Sequence, residues 1–566
     1  MKRCSMSFSS WRGWCRKRRS KRDVGKRKCT EEMLKTGQRT AAAVLFTIFI
    51  MAGAACCLQG CGWFRNLRPA EETTEAQTSA AAAAAETKGA GEGAQSGEKA
   101  TPGDAALPET EASAETAFSG TEIAGEEGNP EPEFPNGAAL PRRRKPFSHR
   151  RRYGDATHGP GVPVPEKPPL RPVDRDLIWF ATDTHYYSSS LTDRGEAFRE
   201  RLDKDDGKFV QKSGELLDRF ISQAIETRPA TVVLSGDLCL DGETANHLEL
   251  AEKLRRLTEE GICVLVIPGN HDIATNWANS YFGSTAAPLP TPETGQEFLD
   301  IYHEFGYDGA FLRDPASLSY IYKVKEDRWL MMLDSAIYEP ENRVTGRIRP
   351  ETLAWMEACF QQAEEAGAEV IPVAHHNLLY ESRLFRRDCT LENYRETVDV
   401  LHRHGVRLWF SGHLHLQRIR QYRPEPGLYS GENVTEIVNG CFSMYPFPYG
   451  ELRFGEDRHV TYRQRTVDIP EELRAEGLAE YRRVITGQVS GDIRGVPDYI
   501  RANMADSYVG LMVRYVSGEA VDEKEFCSEL GYRMMLKYMD GSLELEKIRE
   551  MLSDTKQDCR SWEGDL

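Results

Sequence analysis

Five apolar, β-branched runs in this sequence each stop at residues able to hold a metal ion. LIWFAT leads to Asp183-Thr184-His185, TVVLSG to Asp237, and CVLVIPG to Asn270-His271-Asp272. VIPVA leads to His375-His376, and VRLWFSG to His413-Leu414-His415. Carboxylate, amide and imidazole groups without a thiolate make a donor set suited to Mn, Fe or Zn. In an extended chain residues i and i+2 project to one side, so Asp183 and His185 can reach one ion together. His413 and His415 can likewise each reach a target of their own. Glycines stand directly before Asp237, Asn270 and His413, where a tight turn or close backbone approach is needed. Asp237 is the candidate bridge, since a carboxylate has two oxygens to offer two ions. A single D-x-H or a lone histidine arises often by chance. Five such ends in order are hard to produce as buried polar groups of a core.

Something must carry these ends to one place. Helical stretches lie between several of the runs; Thr244 to Leu257, for instance, puts Leu250, Leu254 and Leu257 on one face. Strands spaced by helices predict an α/β layered domain. In such sheets sites gather outside the carboxyl ends of the strands, where loops bring distant side chains onto one rim.

In this order D-x-H, GD, GNHD, a later His and GHxH resemble the calcineurin-like metallophosphoesterases, over roughly residues 175–465. The resemblance implies a four-layer αββα sandwich of two mixed β-sheets flanked by helices. It further implies that Asp183, His185 and His415 hold one divalent ion, that Asn270, His375 and His413 hold a second, and that Asp237 bridges them. His271 would face the substrate phosphate and protonate the leaving oxygen or stabilise the transition state, with Asp272 orienting it. The family reads H-x-P or H-H-P where this chain has His375-His376-Asn377, so His376 stays open as the ligand, with His375 favoured. Gly236-Asp237-Leu238-Cys239-Leu240-Asp241-Gly242-Glu243 is similar to the GDLTxDGE variant of bacterial lipoproteins and cyclic-nucleotide phosphodiesterase relatives, not to the GDxxDRG of phosphoprotein phosphatases. Asp241 and Glu243 are read as loop and helix-cap residues.

Two ions roughly 3.5–4 Å apart would share a water as hydroxide and clamp the attacking and leaving oxygens of an in-line displacement. With Asp183, Asp237 and the hydroxide they leave about one positive charge at the pocket floor, so an acidic protein can still bind phosphate. The expected activity is hydrolysis of a small phosphodiester, cyclic nucleotides included. The alternatives are a phosphomonoesterase or a hydrolase of wall or lipid phosphate on the same site, or a non-catalytic binding module keeping the fold.

The rest of the 566 residues is a patchwork with a net charge of −16. That charge excludes a general binder of nucleic-acid duplex, which needs a basic footprint. Residues 1–61 read as a targeting segment: Ala41–Leu58 is nearly all apolar behind Lys35 and Arg39, and Leu58-Gln59-Gly60-Cys61 resembles a lipobox. Lipid on Cys61 would anchor the chain through methylene groups contributing roughly 0.8 kcal/mol each. An uncleaved helix is the other possibility, and both place the remainder outside the cytoplasm. Met33 offers a more conventional start than Met1. Residues 62–174 read as a low-complexity linker, 175–467 as the catalytic domain and 468–566 as helices, either docked for stability or covering the site. RRRKPFSHRRRY within the linker reads as a solvated run or a contact for anionic polymer. Seven cysteines beyond Cys61, odd in number and without CxxC spacing, argue for buried thiols over a disulfide framework.

Overall fold

All five apolar runs are strands, rich in the β-branched and aromatic residues that fit a pleated surface. The computed structural model describes residues 170–566 other than 386–387, 423–432, 457 and 491–495. The strands run β1 (Asp174–Ala181), β2 (Pro229–Ser235), β3 (Cys263–Ile267), a hairpin β4 (Asn279–Phe282) and β5 (Thr285–Pro288), then β6 (Leu312–Arg313), β7 (Tyr320–Lys325) and β8 (Arg328–Leu333). A short pair, β9 (Ala336–Ile337) and β10 (Arg343–Gly346), precedes β11 (Glu369–Ala374), β12 (Leu408–Ser411), β13 (Arg418–Tyr422) and β14 (Val434–Val438). β15 (Pro448–Phe454), β16 (His459–Thr466) and β17 (Ser561–Asp565) follow.

Two mixed sheets result, ordered β17-β16-β15-β1-β2-β3 and β13-β14-β12-β11-β8-β7-β6. β1, β2 and β3 are mutually parallel, as are β8, β11, β12 and β14. The five strands that end in metal donors therefore all belong to the parallel portions, whose carboxyl ends make a common rim. Alternation along β1 shows how the layers form. Phe180 stacks on Phe410 of β12 with ring centroids 4.2 Å apart, joining the sheets face to face. Trp179, on the opposite face, meets Phe220 of the helix Ser213–Thr227. That helix and Thr244–Glu259 cover the first sheet through Leu216, Phe220, Leu250 and Leu254. Met356 and Phe360 of Pro350–Ala366 and Val398 and Leu401 of Tyr394–Arg403 cover the second. Each such buried side chain stabilises the fold by about 1.5–3 kcal/mol. The architecture is the four-layer αββα sandwich.

From Glu471 the chain is helical over Glu471–Ser490, Asp498–Val516, Glu523–Ser528, Leu530–Tyr538 and Leu543–Asp554. Their core contains Met504, Tyr508, Leu511, Met512 and Tyr515, and it continues into Leu414, Leu416, Val438 and Met444. The helices are thus packed against the loop that follows β12. One element departs from the all-helical expectation for this stretch: β17 pairs antiparallel with β16 and completes the first sheet's edge. Its sequence, SWEGD, has one large apolar residue, too little for a strand period to show.

The seven described cysteines are free thiols. Among the described residues no helix is long and apolar enough to cross a membrane. The targeting segment and nearly all of the linker lie outside the described residues.

Candidate metal centre

The donors leave their strands on strained backbone. Asp183 (φ 54°), His185 (φ 39°), Asp237 (φ 48°), His413 (φ 64°) and His415 (φ 58°) are all in the left-handed region. This corrects the geometry by which Asp183 and His185 reach one ion and His413 and His415 each reach a target of their own. β1 stops at Ala181 and β12 at Ser411, so successive left-handed turns, not extended alternation, aim the side chains. Such conformations each cost about 1–3 kcal/mol and persist only where the surroundings over-determine them. Here the amides of Asp183 and His185 donate to the carbonyls of Gly236 (3.1 Å) and Asp237 (3.0 Å), and that of His413 donates to Asp183 Oδ2 (3.0 Å). Gly236 (φ 91°) passes so close beneath His375 that a Cβ there would lie 2.6 Å from its ring.

The loops bring all seven expected donors together, and all are buried. His415 Nε2 is 3.2 Å from His185 Nε2 and 3.2 Å from Asp183 Oδ1. His185 Nε2 is 3.8 Å from Asp237 Oδ2. On the other side, His375 Nε2 is 3.3 Å from both Asp237 Oδ1 and Asn270 Oδ1, and the ring of His413 is 5.0 Å from that of His375. Asp237 thus turns one oxygen to each group. His376 also lies near His375 and His413, but both of its ring nitrogens are already used, Nδ1 with Ser335 Oγ (2.9 Å) and Nε2 with the Val344 carbonyl (3.0 Å). His375 is the imidazole with a nitrogen facing inward.

Outer partners fix which nitrogen that is. His375 donates Nδ1–H to the Ser235 carbonyl (2.8 Å), and His415 donates Nδ1–H to Asp206 Oδ2 (2.6 Å). His413 donates Nε2–H to the Asp388 carbonyl (2.8 Å). His375 and His415 each turn the second nitrogen toward a carboxylate, Asp237 and Asp183 respectively. Lone pairs aimed at one another repel unless positive charge sits between them, and the acid–base behaviour reflects this. Burial opposes charge on His375, yet the Asp237 carboxylate overrides it and pushes the imidazole up to about 9. His415 is raised in the same way against burial, by the carboxylates of Asp206 and Asp183. Burial likewise opposes the ionised form of Asp237, and His375 and His271 hold it well below the usual carboxylate range. His413, by contrast, is driven down to about 3 by burial and by His375. A cluster of oxygen and imidazole donors that draws cations inward fits two divalent ions.

His271 lies beside this cluster. Its Nδ1 meets the Leu240 carbonyl (2.8 Å) and Asp241 Oδ1 (3.2 Å), and its Nε2 is 4.0 Å from Asp237 Oδ2. Asp272, expected to orient His271, does not touch its ring. It accepts instead from the amides of Leu238 (2.8 Å), Cys239 (3.2 Å) and Gly269 (2.7 Å), so it ties the two donor loops together. A side chain next in sequence on so tight a turn points away from its neighbour. The orienting carboxylate is Asp241, read from sequence only as a loop residue. Glu243 does sit at the N-cap of its helix, without capping the amides. Asp206, Asp388 and Cys441 also went unnoticed. Cys441 Sγ lies within reach of His185 and His415, but burial pushes its thiol up to about 12, and it donates to the Asp183 carbonyl (3.3 Å). None of these belongs to a spacing pattern that could have marked it. Trp277, half-buried, stands with its ring 5.5 Å from that of His271.

Residues 177–417 match the calcineurin-like phosphoesterase family. A comparison with curated proteins found no match. Among solved structures, a dimetal phosphatase from Danio rerio is similar at 15% identity, over 53% of this chain and 98% of that one, with a TM-score of 0.37. A purple acid phosphatase from yellow lupin (Lupinus luteus) seeds is similar at 13% identity, over 52% and 51% of the two chains, with a TM-score of 0.33. The NAD nucleotidase of Haemophilus influenzae is similar at 10% identity, over 56% and 60%, with a TM-score of 0.28. The chain spans about half of the lupin enzyme. These likenesses are distant, whereas the family match covers all seven converging donors. Residues 177–417 form a calcineurin-like phosphoesterase domain, and the protein is a metal-dependent phosphoester hydrolase.

Proposed function

We propose that the protein hydrolyses small phosphodiesters, nucleotide-like ones among them, at a two-ion centre held by Asp183, His185 and His415 on one side, Asn270, His375 and His413 on the other, and Asp237 between. The observation that carries this is the placement of Asp237, whose two oxygens face separate donor groups. When bound, the ions would supply Lewis acidity at the phosphoryl oxygens. His271 does the chain's own proton work. With Nδ1–H donated to the Leu240 carbonyl and Asp241, its Nε2 is left facing the donors, placed to hold a proton for the leaving oxygen. Asp183 is kept from turning by Thr182, whose hydroxyl donates to Oδ2 at 2.8 Å. A monoanionic diester suits the charge balance better than a dianionic monoester. The cations bonded nearest the centre, Lys208 and Arg201, are each already shared between two carboxylates.

Metal analysis and a substrate panel test this. With Mn²⁺ supplied, bis-p-nitrophenyl phosphate or a cyclic nucleotide should turn over faster than p-nitrophenyl phosphate. Asp237→Ala should lose metal and all activity, whereas His271→Ala should keep its metal and lose about 10²–10⁴-fold in turnover. Preference for the monoester would overturn the diester reading, and metal without turnover would favour a binding role. Ala41–Leu58 and the Cys61 motif support a membrane-tethered enzyme acting outside the cytoplasm. Loss of membrane fractionation in Cys61→Ser would bear this out, and unchanged fractionation would point to an uncleaved helix.

A further inference from the structure

The segment Arg201–Lys208 belongs to none of the metal-binding motifs, yet it spans the site from one end to the other. His415 Nδ1 meets Asp206 Oδ2 at 2.6 Å, and Asp206 Oδ1 meets Lys208 Nζ at 2.9 Å. Lys208 Nζ meets Asp205 Oδ1 at 2.8 Å, and Asp205 Oδ2 meets Arg201 Nη1 at 3.0 Å. Arg201 Nη2 meets Asp241 Oδ2 at 3.1 Å, and Asp241 Oδ1 meets His271 Nδ1 at 3.2 Å. Alternating charges thus run without a gap from a donor of the metal centre to the histidine facing the substrate. Asp205, Asp206, Lys208 and Asp241 are all buried. Buried charges are costly to hold unless each is paired, and here every charge in the run faces an opposite one within 3.2 Å.

The segment is also gripped from outside. Gly207 (φ 101°) lies against Tyr481 of the helix Glu471–Ser490, so closely that a Cβ would be 2.7 Å from its ring. The Phe209 amide donates to the Ser443 carbonyl (2.7 Å), and the Ser443 hydroxyl donates to the Asp183 carbonyl (3.2 Å). A pair of like-charged aspartates, adjacent in sequence and inside the protein, has no packing reason to be there. Their arrangement has one if Lys208 fixes the carboxylate that fixes His415.

We infer that Arg201–Lys208 is the positioning strut of the catalytic centre. Lys208 sets the orientation of His415 through Asp206, and Arg201 sets that of His271 through Asp241, while neither touches substrate. This rests on the two-ion reading above. It assigns the two cations different effects, which a merely structural role would not do.

The test uses the full chain, stripped of metal and titrated with Mn²⁺ by equilibrium dialysis, alongside kinetics on bis-p-nitrophenyl phosphate. Lys208→Met should weaken Mn²⁺ binding about tenfold or more, and Lys208→Arg should recover most of it. Arg201→Met should leave Mn²⁺ binding unchanged and lower kcat with KM unchanged. Equal effects of the two methionine variants on both readouts, or unaltered Mn²⁺ binding in Lys208→Met, would overturn the strut. Should Lys208→Met not fold, as judged by circular dichroism, Asp206→Asn takes its place. It must weaken Mn²⁺ binding while Arg201→Met does not, and unaltered binding again overturns the inference. A wild-type chain that binds no Mn²⁺ would instead sink the two-ion reading itself.

Discussion

Glu243 has no contact with solvent. Its Oε2 accepts from the Asp241 amide (3.2 Å) and Asn246 Nδ2 (2.7 Å), while Oε1 has no partner among the described residues. Burial, and then the charge of Asp241, push the carboxyl up to about 8 from an ordinary 4.5. Between those values the folded chain keeps a proton that the unfolded chain releases, so the group's contribution to stability is full below pH 4.5 and is lost as pH rises through 8. Glu243→Gln removes the titration. The variant is expected to exceed wild type by about 1–3 kcal/mol at pH 8, with the gap closing toward pH 4.5. Thermal melts across that range check it, and a gap independent of pH would contradict it. At this scale the sequence was uneven. The seven donors and His271 were readable because each stands at the end of an apolar run, where only a site explains a polar residue. Asp206 and Asp241 were not, since which carboxylate meets a histidine depends on how the loops cross. Adjacency in sequence pointed to Asp272, whose carboxylate is taken up by three backbone amides.

Strand ends are where the chain's strain is concentrated. Five left-handed donors are held by hydrogen bonds between loops that follow different strands, so a disturbance in one loop is felt in another. Gly236 is constrained twice over: it combines φ 91° with the His375 ring against its Cα. Gly236→Ala is expected to lower stability by about 1–3 kcal/mol and to displace His375, weakening metal retention. Denaturant unfolding and metal content of the variant would show both, and wild-type metal content would separate His375 from this glycine. The five parallel strands were legible because they are buried on both faces and read as continuous β-branched runs. The i, i+2 alternation is the wrong geometry for Asp183, His185, His413 and His415, since both strands end before the first donor. β17 stayed hidden because an edge strand with one large apolar residue carries no period.

Across the whole molecule, the terminal helices share a core with the loop that presents His413 and His415. Met512 and Tyr515 belong to the same apolar cluster as Leu414 and Leu416. Deleting 469–566 would expose Leu414, Leu416, Val438 and Met444 together. The truncated protein is expected to aggregate on size-exclusion chromatography, and a monodisperse, active fragment would show that the helices are dispensable. The layout also bears on how the protein is made. Synthesis runs from the amino end, so every strand of the second sheet has emerged once Val438 is out, whereas the first sheet keeps an open flank along β16. That flank can recruit a strand from any neighbouring chain. Its own partner, Ser561–Asp565, arrives only after all the helices have been translated. Two nascent copies side by side are therefore most exposed to exchanging strands during that interval.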